Sequence, residues 1–184
     1  MTSSYETNNY DSVFKALTFL QKPKKIVEIG IFNGFSLDCF INCADKDCQI
    51  YAYDLFEEYE YKHQRFDKIK NKYSCYNNVS ITQMNFQDVH KHHTDNSIDI
   101  LHIDISNNGD TYKFAIENYM PKVSKGGLIL LEGGSKLRDE VEWMETFNFP
   151  EIRPIVEKIK SEYRVMTLEP YPSLTIIKKW LINV

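Results

Sequence analysis

One stretch constrains the fold more than any other: an apolar run that ends in a glycine, followed by a short loop and a helix. Residues 25–30 are apolar at nearly every position apart from Glu28, as in a strand buried on both faces of a parallel sheet. Gly30 and Gly34 bound the loop, and Ser36 is a candidate N-cap for the helix that follows. In open α/β sheets, ligands bind at this kind of strand–loop–helix turn.

The rest of the chain repeats this alternation of strand and helix. Two final strands are joined by only four residues, which permits an antiparallel hairpin but not a parallel crossover. The sequence therefore predicts an α/β fold: a doubly wound, mostly parallel sheet of seven strands with an antiparallel C-terminal hairpin. The predicted strands cover residues 25–30, 49–53, 79–84, 98–103, 128–131, 163–169 and 174–180.

Helical patterns and turn residues complete the expected organisation of a single domain over residues 1–184, with 1–9 as a flexible tail. Gly126 and Gly127 predict a turn into the fifth strand, and residues 88–95 predict a polar loop containing three histidines. Asp11 and either Asp110 or Thr111 are the expected N-caps of two further helices. Other helices are expected over residues 57–73, 136–147 and 151–161.

Composition and charge exclude several classes of partner. The formal net charge of -4 provides no basic footprint for nucleic acid. No apolar run approaches the length of a membrane span, and residues 1–9 show no apolar segment of a secretory signal. The four cysteines form no C-x-x-C pair. We therefore expect a reduced, cytoplasmic protein that associates with neither membrane nor nucleic acid.

Acidic residues end most of the predicted strands. Asp54, Asp104 and Glu132 each follow a strand, so they are expected at one edge of the sheet, where they favour a ligand with hydroxyls and positive charge over a phosphate. Phe32 stands where a dinucleotide-binding loop needs its second glycine, which argues against NAD or FAD. Asp54, one strand over from Gly30, is placed to accept ribose hydroxyls.

These motifs resemble those of class I S-adenosylmethionine-dependent methyltransferases, in particular the small-molecule O-methyltransferases of the macrocin and catechol type. The loop of residues 27–36, the strand of residues 98–104 and the Lys125-Gly126-Gly127 segment carry the resemblance, which covers roughly residues 20–180. It implies a Rossmann-like sheet and S-adenosylmethionine as cofactor.

The resemblance also implies roles for individual residues. Asp54 would bind the ribose, and Asn85, Phe86 or Asp88 would lie near the adenine. The cofactor carboxylate would face the helix N-terminus near Ser36. The methionine part of the cofactor would be held by Glu28 and the loop of Gly30, Phe32, Asn33 and Gly34.

Methyl transfer to a hydroxyl requires removal of a proton by a base, or a metal that lowers the hydroxyl pKa. Metal-dependent relatives place acids at the positions of Asp104 and Glu132, but two further acids are replaced here by Ser106 and Gly133. The sequence therefore predicts Asp104 as the catalytic residue and no metal ligands, with a divalent metal such as Mg²⁺ as the alternative. Asp110 is a second candidate base.

The expected reaction is O-methylation of a small molecule, with a sugar or carbohydrate-linked metabolite as one acceptor class. The alternative is a cofactor-binding protein with weak or lost catalysis, because of the replaced acids. Acceptor contacts are expected from residues 1–12, 55–65, 105–111 and 133–140, or from the second subunit of a homodimer. Trp143 and Phe147 are candidates to cover the site or a partner surface.

Overall fold

A computed structural model describes residues 3–61, 63–169 and 171–180 of the chain. Its centre is a seven-stranded sheet, as the alternating pattern predicts. The strands are β1 (Lys25–Ile29), β2 (Gln49–Asp54), β3 (Val79–Gln83), β4 (Ile98–Ile103), β5 (Val123–Glu132), β6 (Arg164–Leu168) and β7 (Leu174–Lys178).

The strand order is β3-β2-β1-β4-β5-β7-β6. Strands β1 to β5 pair in parallel, whereas β7 runs antiparallel to both β5 and β6. The predicted fold class, including the C-terminal hairpin, is confirmed. Because β1 pairs with β2 on one side and β4 on the other, the order reverses at β1, and a crevice opens at the carboxyl ends of these strands.

Helices cover both faces of the sheet and bury two apolar cores. Successive residues of β1 alternate between them: Ile26 packs in one core, and Val27 in the other. The helices are α1 (Ser4–Thr7), α2 (Asp11–Gln21), α3 (Phe35–Cys43), α4 (Phe66–Lys72), α5 (Phe86–Val89), α6 (Gly109–Asn118), α7 (Lys136–Asp139), α8 (Glu142–Thr146) and α9 (Arg153–Ile159), with 3₁₀ turns at Phe56–Glu58 and His90–His92.

The N-terminal segment, expected to be a loose tail, is helical at α1 and contributes to the core. The Tyr5 side chain is only 1% exposed. Its ring lies 5.2 Å from that of Tyr10 and 5.0 Å from that of Phe14. The segment is short and polar, and it shows no helical periodicity. The buried ring of Tyr5 explains why it nevertheless packs against the sheet.

Strand β5 differs from its prediction at the two glycines. Gly126 and Gly127 lie inside the strand, and the pairing register with β4 shifts between Ile98 and Ile100. The two glycines therefore interrupt the strand pairing instead of forming a turn before the strand, and Gly126 adopts a φ of 77°, which favours glycine.

Three predicted helices are shorter than their patterns suggested. Among the described residues of 57–73, only the 3₁₀ turn and α4 are helical, and residues 136–147 form the separate helices α7 and α8. The third, predicted over 151–161, is limited to α9. These segments carry weak amphipathic patterns and many charged residues, so tertiary contacts decide their ends.

The predicted N-caps are also corrected. Asn108, not Asp110 or Thr111, caps α6, and its side chain accepts hydrogen bonds from the amides of both those residues. Helix α3 begins after Gly34, so Ser36 is already its second residue. Asp11 is the first residue of α2 and pairs with Lys15.

Gly30 fixes how the loop after β1 packs against β4. Its φ is +92°, and a Cβ at this position would stand 1.9 Å from the carbonyl oxygen of Asp104. Backbone bonds hold the approach: the Gly30 amide donates to the Tyr53 carbonyl at 2.8 Å, and the Asp104 amide donates to the Ile29 carbonyl at 2.9 Å. Only glycine allows both the positive φ and the close approach to the Asp104 carbonyl oxygen.

We predict that Gly30→Ala destabilises the protein far more than Gly126→Ala. Both glycines have a positive φ, which costs an alanine about 1–2 kcal/mol. Gly126 has open space around it, whereas the new methyl group at Gly30 would collide with the Asp104 carbonyl. Urea unfolding should therefore show a loss of at least about 3 kcal/mol for Gly30→Ala. Equal losses in the two variants would contradict this packing.

Candidate active site at the strand ends

The loop that joins β1 to α3 is held by the carboxylate of Asp54. One oxygen of Asp54, Oδ2, accepts hydrogen bonds from the amides of Ile31 at 2.7 Å and Phe32 at 3.2 Å. The other, Oδ1, accepts from the amide of Phe56 at 2.9 Å. A carboxylate has about four acceptor positions. Asp54 therefore organises the loop and keeps capacity for at least one further donor, such as a hydroxyl.

A cleft of about 450 Å³ opens between the ends of β1, β2 and β4. Its position is the crevice where the strand order reverses, and its size suits a nucleoside. It is lined by Ile29, Gly30, Asp54, Leu55, Tyr59, Met84, Asn85, Phe86, Gln87, Asp104, Ile105 and Ser106.

A second cavity, of about 300 Å³, lies on the other side of the glycine loop, against α1. Gly30 and Asp104 line both cavities, so the two spaces adjoin at these residues. Other lining residues are Ser3, Ser4, Tyr5, Ile31, Phe32, Asn33, Phe35 and Ser36. An extended ligand can therefore occupy both cavities and pass beside Asp104.

Glu28 lies behind the loop, fully buried, and ties β1 to its neighbours. Its Oε1 accepts a hydrogen bond from the Ser36 hydroxyl and lies 3.2 Å from Nδ1 of His102, which sits opposite it on β4. Glu28 Oε2 and His102 Nε2 are buried without a hydrogen-bond partner among the described residues. Unpaired buried polar atoms of this kind are uncommon and often mark a ligand site.

Aromatic rings enclose the His102 imidazole. The rings of Tyr5, Phe14 and Phe40 lie 5.8, 5.0 and 5.7 Å from it. His102 is therefore a packed residue of strand β4.

Asp104 has the electrostatic properties of a general base near neutral pH. Burial raises the pKa of its carboxyl to about 7, and the negative charges of Glu132 and Glu28 add to the effect, while His102 and Arg138 oppose it. A base is most effective when its pKa lies close to the working pH. Asp104 is thus the titratable group at the junction of the two cavities that is suited to accept a proton.

Glu132, at the end of β5, is paired with a buried arginine. The Arg138 guanidinium donates from Nε to Glu132 Oε1 at 2.5 Å and from Nη2 to Oε2 at 3.0 Å. Burial raises the pKa of Glu132 to about 6, against the opposing charge of Arg138. Across the described ranges, no group of three or more His, Cys, Asp or Glu side chains is arranged to hold a metal ion.

A third cavity, of about 540 Å³, adjoins the cleft and shares Tyr59, Ile105 and Ser106 with it. The Tyr59 and Ser106 hydroxyls lie 2.7 Å apart. Aromatic side chains form most of its wall, and Glu60 is the only carboxylate among the described residues that line it. The remaining lining residues are Glu60, Tyr61, Trp143, Phe147 and Phe149. This aromatic pocket has the mostly apolar wall and few polar groups of a small-molecule site, and it adjoins the loop that follows Asp104.

The structure brings most of the predicted cofactor residues to the two cavities, with three exceptions. Glu28 lies behind the loop, and Gly34, at the end of the loop, packs against the Tyr73 hydroxyl. Asp88 lies on α5, where it pairs with Lys91 at 2.6 Å rather than lining the cleft. Asn85, Phe86 and Gln87 line the cleft from the same segment. Asp110 is on α6, with its amide held by Asn108.

The histidine-rich segment is more ordered than the predicted loop. It contains α5 and a 3₁₀ turn, and His93 is buried, with Nε2 at 3.1 Å from the Tyr53 hydroxyl. Burial lowers the pKa of His93 to about 4, so it is neutral at pH 7. Its role is packing beneath β2.

The segments expected to contact an acceptor contain Tyr5, Tyr59, Asn107 and Arg138, but no sequence pattern singled out these four residues. One signal was available for Arg138: an acid at the end of a buried strand requires a nearby cation, and Arg138 follows Glu132 by six residues. The other three residues lie in segments without periodicity, so their positions depend on the folded loops.

None of the helices within the described ranges has the length and apolar character of a membrane-spanning segment.

Comparison with known proteins agrees with this geometry. A family model described as a methyltransferase domain matches residues 27–132, more than half of the chain. An uncharacterized protein of Sinorhizobium fredii is 26% identical over 117 residues, which cover 59% of this chain and 13% of that protein. The chain thus spans only a small part of that relative.

Solved structures share the fold at low sequence identity. The O-methyltransferase TomG of Streptomyces achromogenes, involved in tomaymycin synthesis and solved with SAM, has a TM-score of 0.67 at 12% identity, over 94% of this chain and 80% of its own. The methyltransferase PaMTH1 of Podospora anserina, solved with SAH, has a TM-score of 0.69 at 16% identity, over 98% and 80%.

The family match covers Gly30, Asp54 and Asp104, which line the cleft, and it extends to Glu132 at the end of β5. The predicted class of enzyme is therefore confirmed: this chain belongs to the methyltransferase domain family.

Proposed function

We propose that this protein transfers the methyl group of S-adenosylmethionine to a hydroxyl oxygen of a small molecule. The observation that carries the proposal is the position of Asp104, which lines both cavities beside the glycine loop and is followed by Ile105 and Ser106 in the wall of the aromatic pocket. A base with a pKa of about 7 thus stands between a nucleoside-sized cleft and a separate space for an acceptor.

The residues of the two cavities fit S-adenosylmethionine. Asp54 would accept a ribose hydroxyl, and Phe86, with Asn85 and Gln87, would surround the adenine. Gly30, Phe32, Asn33 and Ser36 line the cavity that would hold the methionine portion. Glu28 would support that portion from behind the loop, where its unpartnered Oε2 remains available. When bound, S-adenosylmethionine supplies an electrophilic methyl group with a good leaving group.

The side chains of this protein would supply the rest of the chemistry. Asp104 would accept the proton of the acceptor hydroxyl, and the loop after β4 would align that hydroxyl with the cofactor cavity. Trp143, Phe147 and Phe149 provide apolar faces for a planar or sugar ring. Glu60 and the hydroxyls of Tyr59 and Ser106 provide the few polar contacts that orient it, which is consistent with a sugar or carbohydrate-linked acceptor.

A second candidate function is cofactor binding with weak or lost catalysis. It is favoured by Ser106 and Gly133, which stand where related enzymes carry acids, and by the hydrogen bond between Ser106 and Tyr59. Detection of a methylated product that disappears in Asp104→Asn would decide against this candidate.

We also propose a cytoplasmic location, supported by four unpaired cysteines. A homodimer remains a further proposal, for which sedimentation velocity is the direct measurement.

We predict that S-adenosylhomocysteine binds in isothermal titration and that Asp54→Asn weakens this binding about 10- to 100-fold. The substitution removes one hydrogen bond to a charged group and disturbs the amides of Ile31 and Phe32, a loss of about 1.5–3 kcal/mol. Asp47→Asn is the matched control, because Asp47 precedes the opposite end of β2 and is 68% exposed. Equal affinities in the two variants would count against the ribose role.

We predict that kcat/KM for the acceptor rises with pH and levels off above about pH 7, the pKa of Asp104. Asp104 must be deprotonated to act as the base, so activity is lost as the pH falls through this pKa. A cation bound beside Asp104 would move the midpoint lower. Asp104→Asn should reduce the rate at least about 100-fold and retain cofactor binding. A pH-independent rate in the wild type would contradict the assignment.

A further inference from the structure

The ends of β4 and β5 hold a fixed cation supplied by the chain itself. Arg138 is 3% exposed and Glu132 is 5% exposed. The two planar groups meet through two hydrogen bonds, so both oxygens of the carboxylate are engaged by one guanidinium. This bidentate geometry is the strongest form of such a pair. Each oxygen of Glu132 is therefore already bound to a positively charged group.

Arg138 also fixes the loop that follows β4. Its Nη2 donates to the carbonyl oxygen of Asn107 at 3.0 Å. The Asn107 side chain in turn donates from Nδ2 to the carbonyl oxygens of Ile103 and Glu132, both at 3.0 Å. These bonds join the ends of β4 and β5 to a single guanidinium. Because Asn107 directly follows residues 104–106, these bonds also hold the loop that contains Asp104 and Ser106.

The same guanidinium reaches the wall of the aromatic pocket. The Cζ atom of Arg138 lies 4.5 Å from the ring centroid of Trp143, within the range of a cation–π interaction. Arg138 Nη1 is buried and has no hydrogen-bond partner among the described residues. Arg138 thus connects Glu132, the turn at Asn107 that follows β4 (the Asn107 turn) and the ring of Trp143.

The donor set at these strand ends does not fit a divalent metal. Related enzymes that use a metal bind it through acids at the positions of Asp104 and Glu132. Here a second cation would have to displace the guanidinium from Glu132 or approach its positive charge in a buried site, where repulsion is strong. Arginine cannot relieve this repulsion by losing its proton.

We propose that Arg138 is the resident cation of this site: it occupies the carboxylate that a metal would otherwise bind, and it positions the Asn107 turn and Trp143 against the acceptor. The inference rests on the proposed methyl transfer, and it makes Arg138 a positioning residue. The acceptor proton then goes to Asp104 without help from a metal.

Mn²⁺ binding, measured by titration with electron paramagnetic resonance detection, tests the inference directly. The wild type should bind Mn²⁺ no more tightly than about 1 mM, with or without S-adenosylhomocysteine. Arg138→Met frees both oxygens of Glu132, so Mn²⁺ affinity should rise at least about tenfold. The double variant Arg138→Met/Glu132→Gln should lose that gain. Arg153→Met, a change at an exposed arginine on α9, should behave as the wild type.

Two results would overturn the inference. One is wild-type Mn²⁺ binding below about 100 µM that disappears in Glu132→Gln. The other is wild-type methyl transfer that EDTA abolishes and Mn²⁺ restores. If Arg138→Met does not fold, the wild-type titration and Arg138→Lys decide, because the lysine keeps a cation and should also exclude Mn²⁺. Failure of the wild type to bind S-adenosylhomocysteine would instead count against the proposed function and would leave the Mn²⁺ result standing.

Discussion

The site depends on the close approach of two backbones at the carboxyl ends of β1 and β4. Gly30 packs directly on the carbonyl of Asp104, and the parallel pairing of the two strands brings them together. Asp54 adds a third strand to this junction, since its carboxylate accepts from the loop amides that follow Gly30. The glycine loop, the ribose candidate and the catalytic candidate are therefore positioned by one set of backbone contacts, and none of them depends on a flexible surface loop.

Two buried acids lie on either side of this junction, and each is stabilised differently. Glu28 is held by Ser36 and His102 within an aromatic shell, which leaves one of its oxygens unpaired. Glu132 is fully paired with Arg138. Burying a carboxylate is costly unless it is paired or hydrogen-bonded. The unpaired oxygen of Glu28 therefore lies behind the loop that follows β1, whereas the carboxylate of Glu132, at the end of β5, is fully paired within the protein.

Sequence patterns predicted the half of the site that the sheet builds. The ends of β1, β2, β4 and β5 follow from apolar runs and their terminal acids, so the positions of Gly30, Asp54 and Asp104 could be anticipated. Patterns failed where tertiary contacts decide the outcome. Ser36 resembles a helix cap, but it serves Glu28 instead. Asp88 lies in a segment without a clear period, where its partner Lys91 could not be foreseen.

The sequence indicated most of the segments that line the aromatic pocket, but its geometry could not be predicted because short elements held by charged side chains build it. Helices α7 and α8 have four and five residues, too few to be stable without outside contacts. Arg138 anchors the first of them to Glu132, and Asp139 accepts hydrogen bonds from the amides of Ile152 and Arg153 at 2.8 and 2.9 Å. Substitutions in these two helices can therefore reshape the aromatic pocket while the sheet and the two cavities beside the glycine loop stay in place.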